Sequence, residues 1–211
     1  MTSLLGSAYD LVFAPIESLG LRAERARTVA TATGRVLEVG AGTGLNLGHY
    51  PPAVTSVFAC EPDPAMRRRL ADRAAAAGLP VTVHPGGVPG LEQPDDSFDT
   101  IVCVLVLCTI PDPPGALREL RRVLAPGGAL LFLEHVLARG AVARLQHVAT
   151  PAWSRVAGGC QLDRDTIAAL RAAGFVVTDL ERLAPLGRLG AGSVVRGRAI
   201  ARQETEDGNH D

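Results

Sequence analysis

The chain is poor in several residue types, and each shortage narrows what the protein can be. It contains no lysine, so all 21 basic residues are arginine, and with 22 acidic residues the formal net charge is −1. That balance gives no electrostatic basis for binding nucleic acid or an anionic membrane. Aromatic residues make up only 4% of the chain, which disfavours a pocket built on extensive ring stacking.

Cysteine is also scarce, and long apolar runs are missing. The four cysteines lie in or beside apolar stretches and lack C-x-x-C spacing, which indicates reduced thiols and not a disulfide framework or a zinc site. No basic segment followed by an apolar core marks a signal peptide, and no run approaches the roughly 18 apolar residues of a membrane span. We therefore expect a cytoplasmic protein without a bound metal or a membrane span.

The remaining composition is that of one folded domain. A length of 211 residues with 47% hydrophobic content supplies a large core, so we expect a single domain over residues 1–202. The last residues, 203–211, are polar and acidic, which predicts a disordered tail.

The chain is organised around residues 36–44, which read V-L-E-V-G-A-G-T-G. The apolar run predicts a buried parallel strand, and Gly40, Gly42 and Gly44 predict a tight turn that a ligand can approach. The alternative is a glycine-rich turn without a ligand. The pyrophosphate fingerprint G-x-G-x-x-G does not fit, because the third glycine comes one residue early and the strand carries an acid, Glu38.

Further strand patterns alternate with helical ones and predict an α/β fold with a mostly parallel sheet. The predicted strands after the first are Val54–Cys60, Leu79–His84, the first part of Phe98–Ile110, Ala129–Glu134, Gly174–Leu180 and Ser193–Ala201. The predicted helices are Glu17–Thr31, the short Leu45–Tyr50, Pro64–Ala77, Gly115–Leu124 and Ile167–Ala173, with prolines 111, 113 and 114 interrupting the chain before the fourth.

An acid follows the second predicted strand. Glu61 comes 21 residues after Gly40, close to the spacing of about 20 at which an acid accepts hydrogen bonds from vicinal ribose hydroxyls. Asp63 has an alternative interpretation, because it stands where it can cap the helix that begins at Pro64.

These motifs resemble those of the class I S-adenosylmethionine (SAM)-dependent methyltransferases. E-x-G-x-G-x-G resembles their first motif, E-P-D-P-x-M their second, and L-R-E-L-R-R-V-L-A-P-G-G the segment that leads into their fifth strand. The resemblance implies that the glycine turn passes under the amino-acid part of SAM and that Glu38 orients the turn and the cofactor's ammonium. It also implies that Glu61 and Pro62 bind at the ribose and that Met66 packs beside adenine.

The resemblance further implies a Rossmann-like sheet in the order 3-2-1-4-5-7-6, with strand 7 antiparallel and helices on both faces. Residues 1–33 would form an N-terminal helical cap, 34–135 the SAM-binding core, and 136–202 the acceptor pocket and C-terminal hairpin. More cofactor contacts would come from Tyr9, Asn46, Gly87, Val88 and Leu105. Tyr9 would close over the cofactor, or else be a partly buried helix tyrosine. The loop at Gly87 lacks the acid that often binds adenine.

The second half resembles the alkyl-thiol S-methyltransferases in V-L-C-T-I, E-H-V, P-x-W and G-C-x-L-x-R-x-T. This resemblance implies methyl transfer to a small thiol, with Cys108, His135, Trp153 and Cys160 at the acceptor pocket. Animal members carry an N-terminal membrane anchor, which this chain does not show and which we do not carry over.

His135 is the candidate base or orienting group for the acceptor, since it stands at the end of the fifth predicted strand. The alternative is that its ring only bonds main chain. Cys108 and Cys160 fit small buried hydrophobic residues better than nucleophiles, because methyl transfer needs no covalent intermediate. Asp165 fits a helix cap. An O-, N- or C-methyltransferase and a non-catalytic SAM-binding domain stay open, as do monomer and homodimer.

Overall fold

The computed structural model describes residues 10, 14–15, 17–183 and 193–202, and its centre is one seven-stranded sheet. The strand order is β3-β2-β1-β4-β5-β7-β6, with β7 antiparallel to both neighbours and every other pairing parallel. This order confirms the one predicted. The strands are β1 Gly34–Val39, β2 Val54–Cys60, β3 Val81–His84, β4 Phe98–Val104, β5 Leu124–Val136, β6 Phe175–Arg182 and β7 Ser193–Ala201.

The helices cover both faces of this sheet, as predicted. They are α1 Arg22–Val29, α2 Pro64–Ala75, α3 Pro113–Val123, α4 Ala141–Val156 and α5 Thr166–Ala172, with a π-helical turn at Glu17–Leu21 and a 3₁₀ turn at Leu47–His49. None of the helices in the described ranges has the length and apolar character needed to cross a membrane.

Alternation of side chains along the central strands divides the core into two layers. Leu37 and Ile101 point to one face and join the layer that contains α3 and α5. Val36 and Val102, each one residue away, point to the opposite face and pack with α1 and α2. Because both faces of β1 and β4 are covered, these strands are apolar throughout, which is why they were recognisable in the sequence.

In the second half of the chain, two helices differ from the sequence prediction. Pro113 and Pro114 do not interrupt the chain but occupy the first turn of α3, where a missing N–H costs nothing, and Asp112 caps this helix by accepting the Gly115 N–H at 3.1 Å. Helix α4 was not predicted. It contains Pro151 in its interior, a residue that normally indicates the end of a helix.

The N-terminal segment docks onto the glycine turn through Asp10. Its carboxylate accepts a hydrogen bond of 2.7 Å from the Thr43 hydroxyl and pairs with Arg73 of α2 at 2.8 Å. The predicted helix Glu17–Thr31 is divided because Gly20 adopts a φ of 130°. Tyr9, the loop over residues 187–192 and the tail over residues 203–211 lie outside the described residues.

Candidate active site

A cavity of about 350 Å³ lies at the carboxyl ends of β1, β2, β4 and β5, the edge at which open α/β sheets bind ligands. Of the residues predicted to bind cofactor or acceptor, those on its wall are Gly40, Gly42, Glu61, Pro62, Met66, Leu105, Cys108, His135, Trp153 and Cys160. The two groups of predictions, one from each half of the chain, therefore meet in a single cavity.

The glycine turn forms one wall, and all three of its glycines adopt left-handed backbone conformations, Gly44 with a φ of 84°. Gly40 has a φ of 60° and Gly42 a φ of 59°. A Cβ on Gly40 would lie 2.4 Å from Val106 Cγ2, whereas the atom nearest to a Cβ on Gly42 would be the Gly40 carbonyl oxygen at 4.0 Å. Gly40 is thus required for close packing as well as for its backbone conformation.

This difference predicts unequal effects for two otherwise matched substitutions. Gly40→Ala is expected to lower the free energy of unfolding by about 3 kcal/mol, from left-handed strain plus the collision with Val106, and Gly42→Ala by about 1 kcal/mol from strain alone. Urea unfolding of both variants tests this. Equal losses would contradict the role of Val106.

Glu38 lies behind the turn and not on the cavity wall. Its side chain is 1% exposed, and its two carboxylate oxygens accept hydrogen bonds from the Asn46 amide at 2.9 Å and the Tyr50 hydroxyl at 2.8 Å. Burial raises the pKa of Glu38, against these two hydrogen bonds and the charge of Arg25. The arrangement supports the turn from beneath, so any effect of Glu38 on a ligand passes through Asn46 or the turn.

Glu61 lies on the cavity wall and also ties the turn to β2. One carboxylate oxygen accepts the Gly42 N–H and the other accepts the Asp63 N–H, both at 2.8 Å. Each oxygen retains a further lone pair for a ligand, and burial raises the pKa of the carboxyl. Asp63 caps α2 by accepting the N–H groups of Ala65 and Met66, which confirms the capping interpretation.

Glu134 holds the loop after β4 in place. Its fully buried carboxylate accepts the N–H groups of Val106 and Leu107, each at 2.8 Å, and that of Cys108 at 3.4 Å. Leu105 at the start of this loop has a φ of 55°, and burial raises the pKa of Glu134 to about 7. A single carboxylate thereby fixes the backbone that carries Leu105 and Cys108 to the cavity.

Sulfur and nitrogen atoms form the end of the cavity. The Sγ atoms of Cys108 and Cys160 lie 3.4 Å apart, and Cys160 Sγ lies 3.7 Å from His135 Nδ1. The Cys108 thiol and then His135 lower the pKa of Cys160 to about 5, whereas the pKa of Cys108 is raised well above its usual value. The indole N–H of Trp153 also lowers the pKa of Cys160. It is buried, and no described residue meets the geometry of a hydrogen bond with it.

The other predicted site residues lie away from this wall. Gly44 packs against α2, where an added Cβ would lie 2.9 Å from Leu70 Cδ1. Asn46 is buried behind the turn with Glu38, and Val88 belongs to the core layer of α3 and α5. Gly87 does not line the cavity. The roles of these residues toward a cofactor stay predictions. Asp165 caps α5 by accepting the Ala168 N–H at 2.9 Å, which confirms the predicted helix cap.

Three functional residues were missed by sequence reasoning. Arg25 is 5% exposed and lines the cavity while its guanidinium contacts Glu17 at 2.9 Å and Asn46 at 3.3 Å. Glu134 and Tyr50 act through the contacts described above. No local motif marks Arg25 or Tyr50. Glu134 belongs to the E-H-V motif but had no role assigned, although a charged residue inside an apolar strand signals a buried polar role.

Comparison with known proteins places this architecture among methyl-transferring enzymes. A family model described as a methyltransferase domain matches residues 37–132. Thiol S-methyltransferase TMT1B of Homo sapiens is 37% identical over 179 residues, covering 80% of this chain and 72% of that protein. Thiol S-methyltransferase TMT1A of the same organism is 38% identical over 157 residues, covering 72% and 64%.

Solved structures agree in fold. The YcgJ protein from Bacillus subtilis matches with a TM-score of 0.66 at 20% identity, covering 89% of this chain and 99% of that one. A SAM-dependent methyltransferase from Thermotoga maritima, described as a possible histamine N-methyltransferase, also gives 0.66 at 22% identity, covering 92% and 94%. At these identities the likeness shows the fold alone.

Proposed function

Because this chain belongs to the class I SAM-dependent methyltransferases, we propose that it transfers the methyl group of SAM to the sulfur of a small thiol. One observation carries the choice of acceptor: the cavity ends in Cys108, His135 and Cys160, beside a buried Trp153 N–H without a partner in the described chain. A buried unpaired donor costs about 1–3 kcal/mol, which an acceptor atom entering the cavity would offset.

The opposite end of the cavity fits SAM. Gly40 and Gly42 line the wall where the amino-acid part would lie, and Arg25 supplies a buried positive charge to the same wall for the carboxylate. The Glu61 oxygens retain lone pairs for the ribose hydroxyls. Met66 and Leu105 form apolar parts of the cavity wall. These residues, with Pro62, would hold the cofactor.

SAM supplies an electrophilic methyl on a sulfonium, so the protein has to position a nucleophile and exclude water. Positioning is worth up to about 7–11 kcal/mol in favourable cases. The loop held by Glu134 carries Leu105 and Cys108 into the cavity, and this fixes the wall between cofactor and acceptor. His135 and Trp153 are placed to orient the acceptor sulfur and to favour its thiolate, the reactive form.

The relatives support the same acceptor, because the thiol S-methyltransferases TMT1A and TMT1B each match at least 72% of this chain. The motifs at Cys108, His135, Trp153 and Cys160 that resemble alkyl-thiol methyltransferases are the residues that come together at this end of the cavity.

The proposal predicts which acceptors are methylated. Incubation with isotope-labelled SAM and a panel of alkyl thiols, phenols and amines should give labelled thioethers and little labelled ether or methylamine. Products are identified by mass spectrometry. Turnover confined to oxygen, nitrogen or carbon would keep the cofactor and reject the thiol. SAM binding without turnover on any acceptor of the panel would favour a non-catalytic domain.

Trp153→Phe is the matched variant for this experiment, because it keeps an aromatic ring and removes the N–H. We expect about a tenfold loss of kcat/KM for the thiol, corresponding to one hydrogen bond of about 1.4 kcal/mol, with unchanged affinity for SAM. Unchanged thiol kinetics would show that the indole N–H does not take part in acceptor recognition.

A further inference from the structure

Three potential metal ligands meet at the acceptor end of the cavity, and they come from three separate parts of the fold. Cys108 lies in the loop after β4, His135 near the end of β5, and Cys160 after α4. One ligand atom from each, two Sγ atoms and one ring nitrogen, can be chosen so that all three lie within 4.8 Å of one another. Both thiols are buried, at 1% and 5% exposure.

The measured separations are close to those that a tetrahedral zinc ion imposes. Zinc–sulfur bonds of about 2.3 Å and zinc–nitrogen bonds of about 2.05 Å place two sulfurs about 3.8 Å apart and sulfur and nitrogen about 3.6 Å apart. The observed distances are 3.4 Å between Cys108 Sγ and Cys160 Sγ and 3.7 Å between Cys160 Sγ and His135 Nδ1. The third pair, Cys108 Sγ and the His135 ring nitrogen, lies within 4.8 Å, so side-chain shifts of up to about 1 Å would accommodate the ion.

We propose that Cys108, His135 and Cys160 bind one zinc ion, and that its fourth coordination position faces the cavity and takes the acceptor thiol as a thiolate. The inference deepens the proposed function and rests on it for the identity of the acceptor. Three protein ligands and one open position are the arrangement of catalytic zinc sites, whereas structural sites use four protein ligands. Two thiolates and an imidazole form a donor set that selects zinc over magnesium or calcium.

The site is held by contacts beyond the ligands themselves. The Cys108 N–H donates to Glu134 at 3.4 Å, and the Cys108 carbonyl accepts the Gln161 N–H at 2.9 Å, so the two cysteine segments are tied together. Leu162 and Trp153 pack around the two thiols. The Trp153 N–H, which makes no hydrogen bond in the described chain, acts on the Cys160 thiol and can therefore support a sulfur that coordinates the metal.

A zinc ion in this position would hold the acceptor sulfur as the thiolate, which is the reactive form. A thiol that coordinates zinc loses its proton to solvent, because the metal deprotonates a coordinating thiol. The bound sulfur then forms a bond to the methyl carbon while the bond between that carbon and the sulfonium breaks, and the electron pair leaves with the sulfur of S-adenosylhomocysteine. The product is an uncharged thioether, a weaker ligand than a thiolate, so it leaves the metal.

Cobalt(II) substitution tests the site without relying on activity. The full chain, reduced with a phosphine and freed of metal, is titrated with cobalt(II), and we expect one equivalent to give thiolate-to-cobalt charge-transfer bands and the visible spectrum of tetrahedral cobalt. Zinc should displace the cobalt. Addition of an alkyl thiol should shift the spectrum, because the thiol enters the open position.

Substitution of each proposed metal ligand tests whether that residue binds the metal. Cys108→Ser, Cys160→Ser and His135→Ala should each weaken cobalt and zinc affinity by at least about 100-fold, beyond the 10–100-fold typical of outer contacts. Cys103→Ala, which removes a buried thiol outside the cluster, should leave metal affinity unchanged. SAM binding by calorimetry shows that each variant is folded. If Cys108→Ser or Cys160→Ser loses SAM binding, Cys108→Ala or Cys160→Ala replaces it.

The possible outcomes test the zinc site and the thiol acceptor independently of each other. A reduced, folded wild-type chain that binds no cobalt, or that methylates thiols equally well in a strong chelator, overturns the zinc site and leaves thiol methylation standing. A chain that binds one zinc through these ligands but methylates only oxygen or nitrogen rejects the thiol acceptor and retains the metal site. Binding that survives all three substitutions places the metal elsewhere and overturns the inference.

Discussion

Replacement of Glu134 by alanine is expected to lower the free energy of unfolding by about 4 kcal/mol and to remove most methyl transfer. The carboxylate accepts two short hydrogen bonds from Val106 and Leu107 and a longer one from Cys108. Each hydrogen bond to a charged group contributes about 1.5–3 kcal/mol, and the buried N–H groups would be left without a partner. Urea unfolding measures the loss of stability.

Activity should fall by more than stability alone explains, because the freed loop carries Leu105 and Cys108 on the cavity wall. Leu105 has a left-handed backbone, a conformation that costs about 1–2 kcal/mol and persists only while its surroundings hold it. Glu134→Gln is the matched control. Its amide oxygen can still accept from Val106 and Leu107, so we expect less than half of the alanine variant's stability loss.

Equal losses for the two variants would show that the negative charge of Glu134, and not its acceptor geometry, holds the loop. A folded Glu134→Ala variant with wild-type thiol kinetics would show that the loop conformation does not depend on Glu134. Near-ultraviolet circular dichroism distinguishes a local change from a general loss of packing.

The sheet was predictable because its determinants are local. Residues 36–44 combine an apolar run with glycines at fixed spacing, and each later strand is delimited by proline, glycine or charged residues. Parallel strands covered on both faces lack alternation, so the continuous apolar run was sufficient evidence. Two helix predictions were wrong at proline, because a proline can interrupt a helix, begin one or lie inside one. Pro113 begins a helix instead of breaking the chain, and Pro151 lies inside α4.

Helix α4 was missed also because its outer side is apolar. Val142, Leu145 and Val148 are at least 50% exposed, so hydrophobic periodicity does not identify the face that packs. The start of α1 depends on the kink at Gly20. Neither α1 nor the 3₁₀ turn after Asn46 has a side-chain cap that would mark its start in the sequence.

The acceptor end of the cavity shows the limit of local patterns most clearly. The absence of C-x-x-C spacing argued against a metal site, yet Cys108, His135 and Cys160 come together from distant parts of the chain because β4 and β5 are neighbours. Glu61 was easier to find, since its distance from Gly40 follows from adjacent parallel strands. The contacts that place Arg25 and Glu134 depend on tertiary packing alone.

Glu61→Ala is expected to weaken SAM binding by about 100-fold. Two hydrogen bonds from ribose hydroxyls to a carboxylate are worth about 3 kcal/mol together, which corresponds to about that factor. Calorimetric titration with S-adenosylhomocysteine measures it without turnover. Asp112→Ala is the control, because it removes a carboxylate that caps α3 and does not line the cavity. It should destabilise the fold by about 1 kcal/mol and leave affinity unchanged.

The alanine variant also frees the N–H groups of Gly42 and Asp63, so a loss of affinity alone does not identify the ribose contact. A cycle with the 2′-deoxy form of S-adenosylhomocysteine separates the two effects. Deletion of the hydroxyl should weaken binding to the wild type by about tenfold and to Glu61→Ala by less than about twofold. If the two losses are additive, Glu61 supports the glycine turn but does not contact the ribose, and the cofactor contact lies elsewhere on the cavity wall.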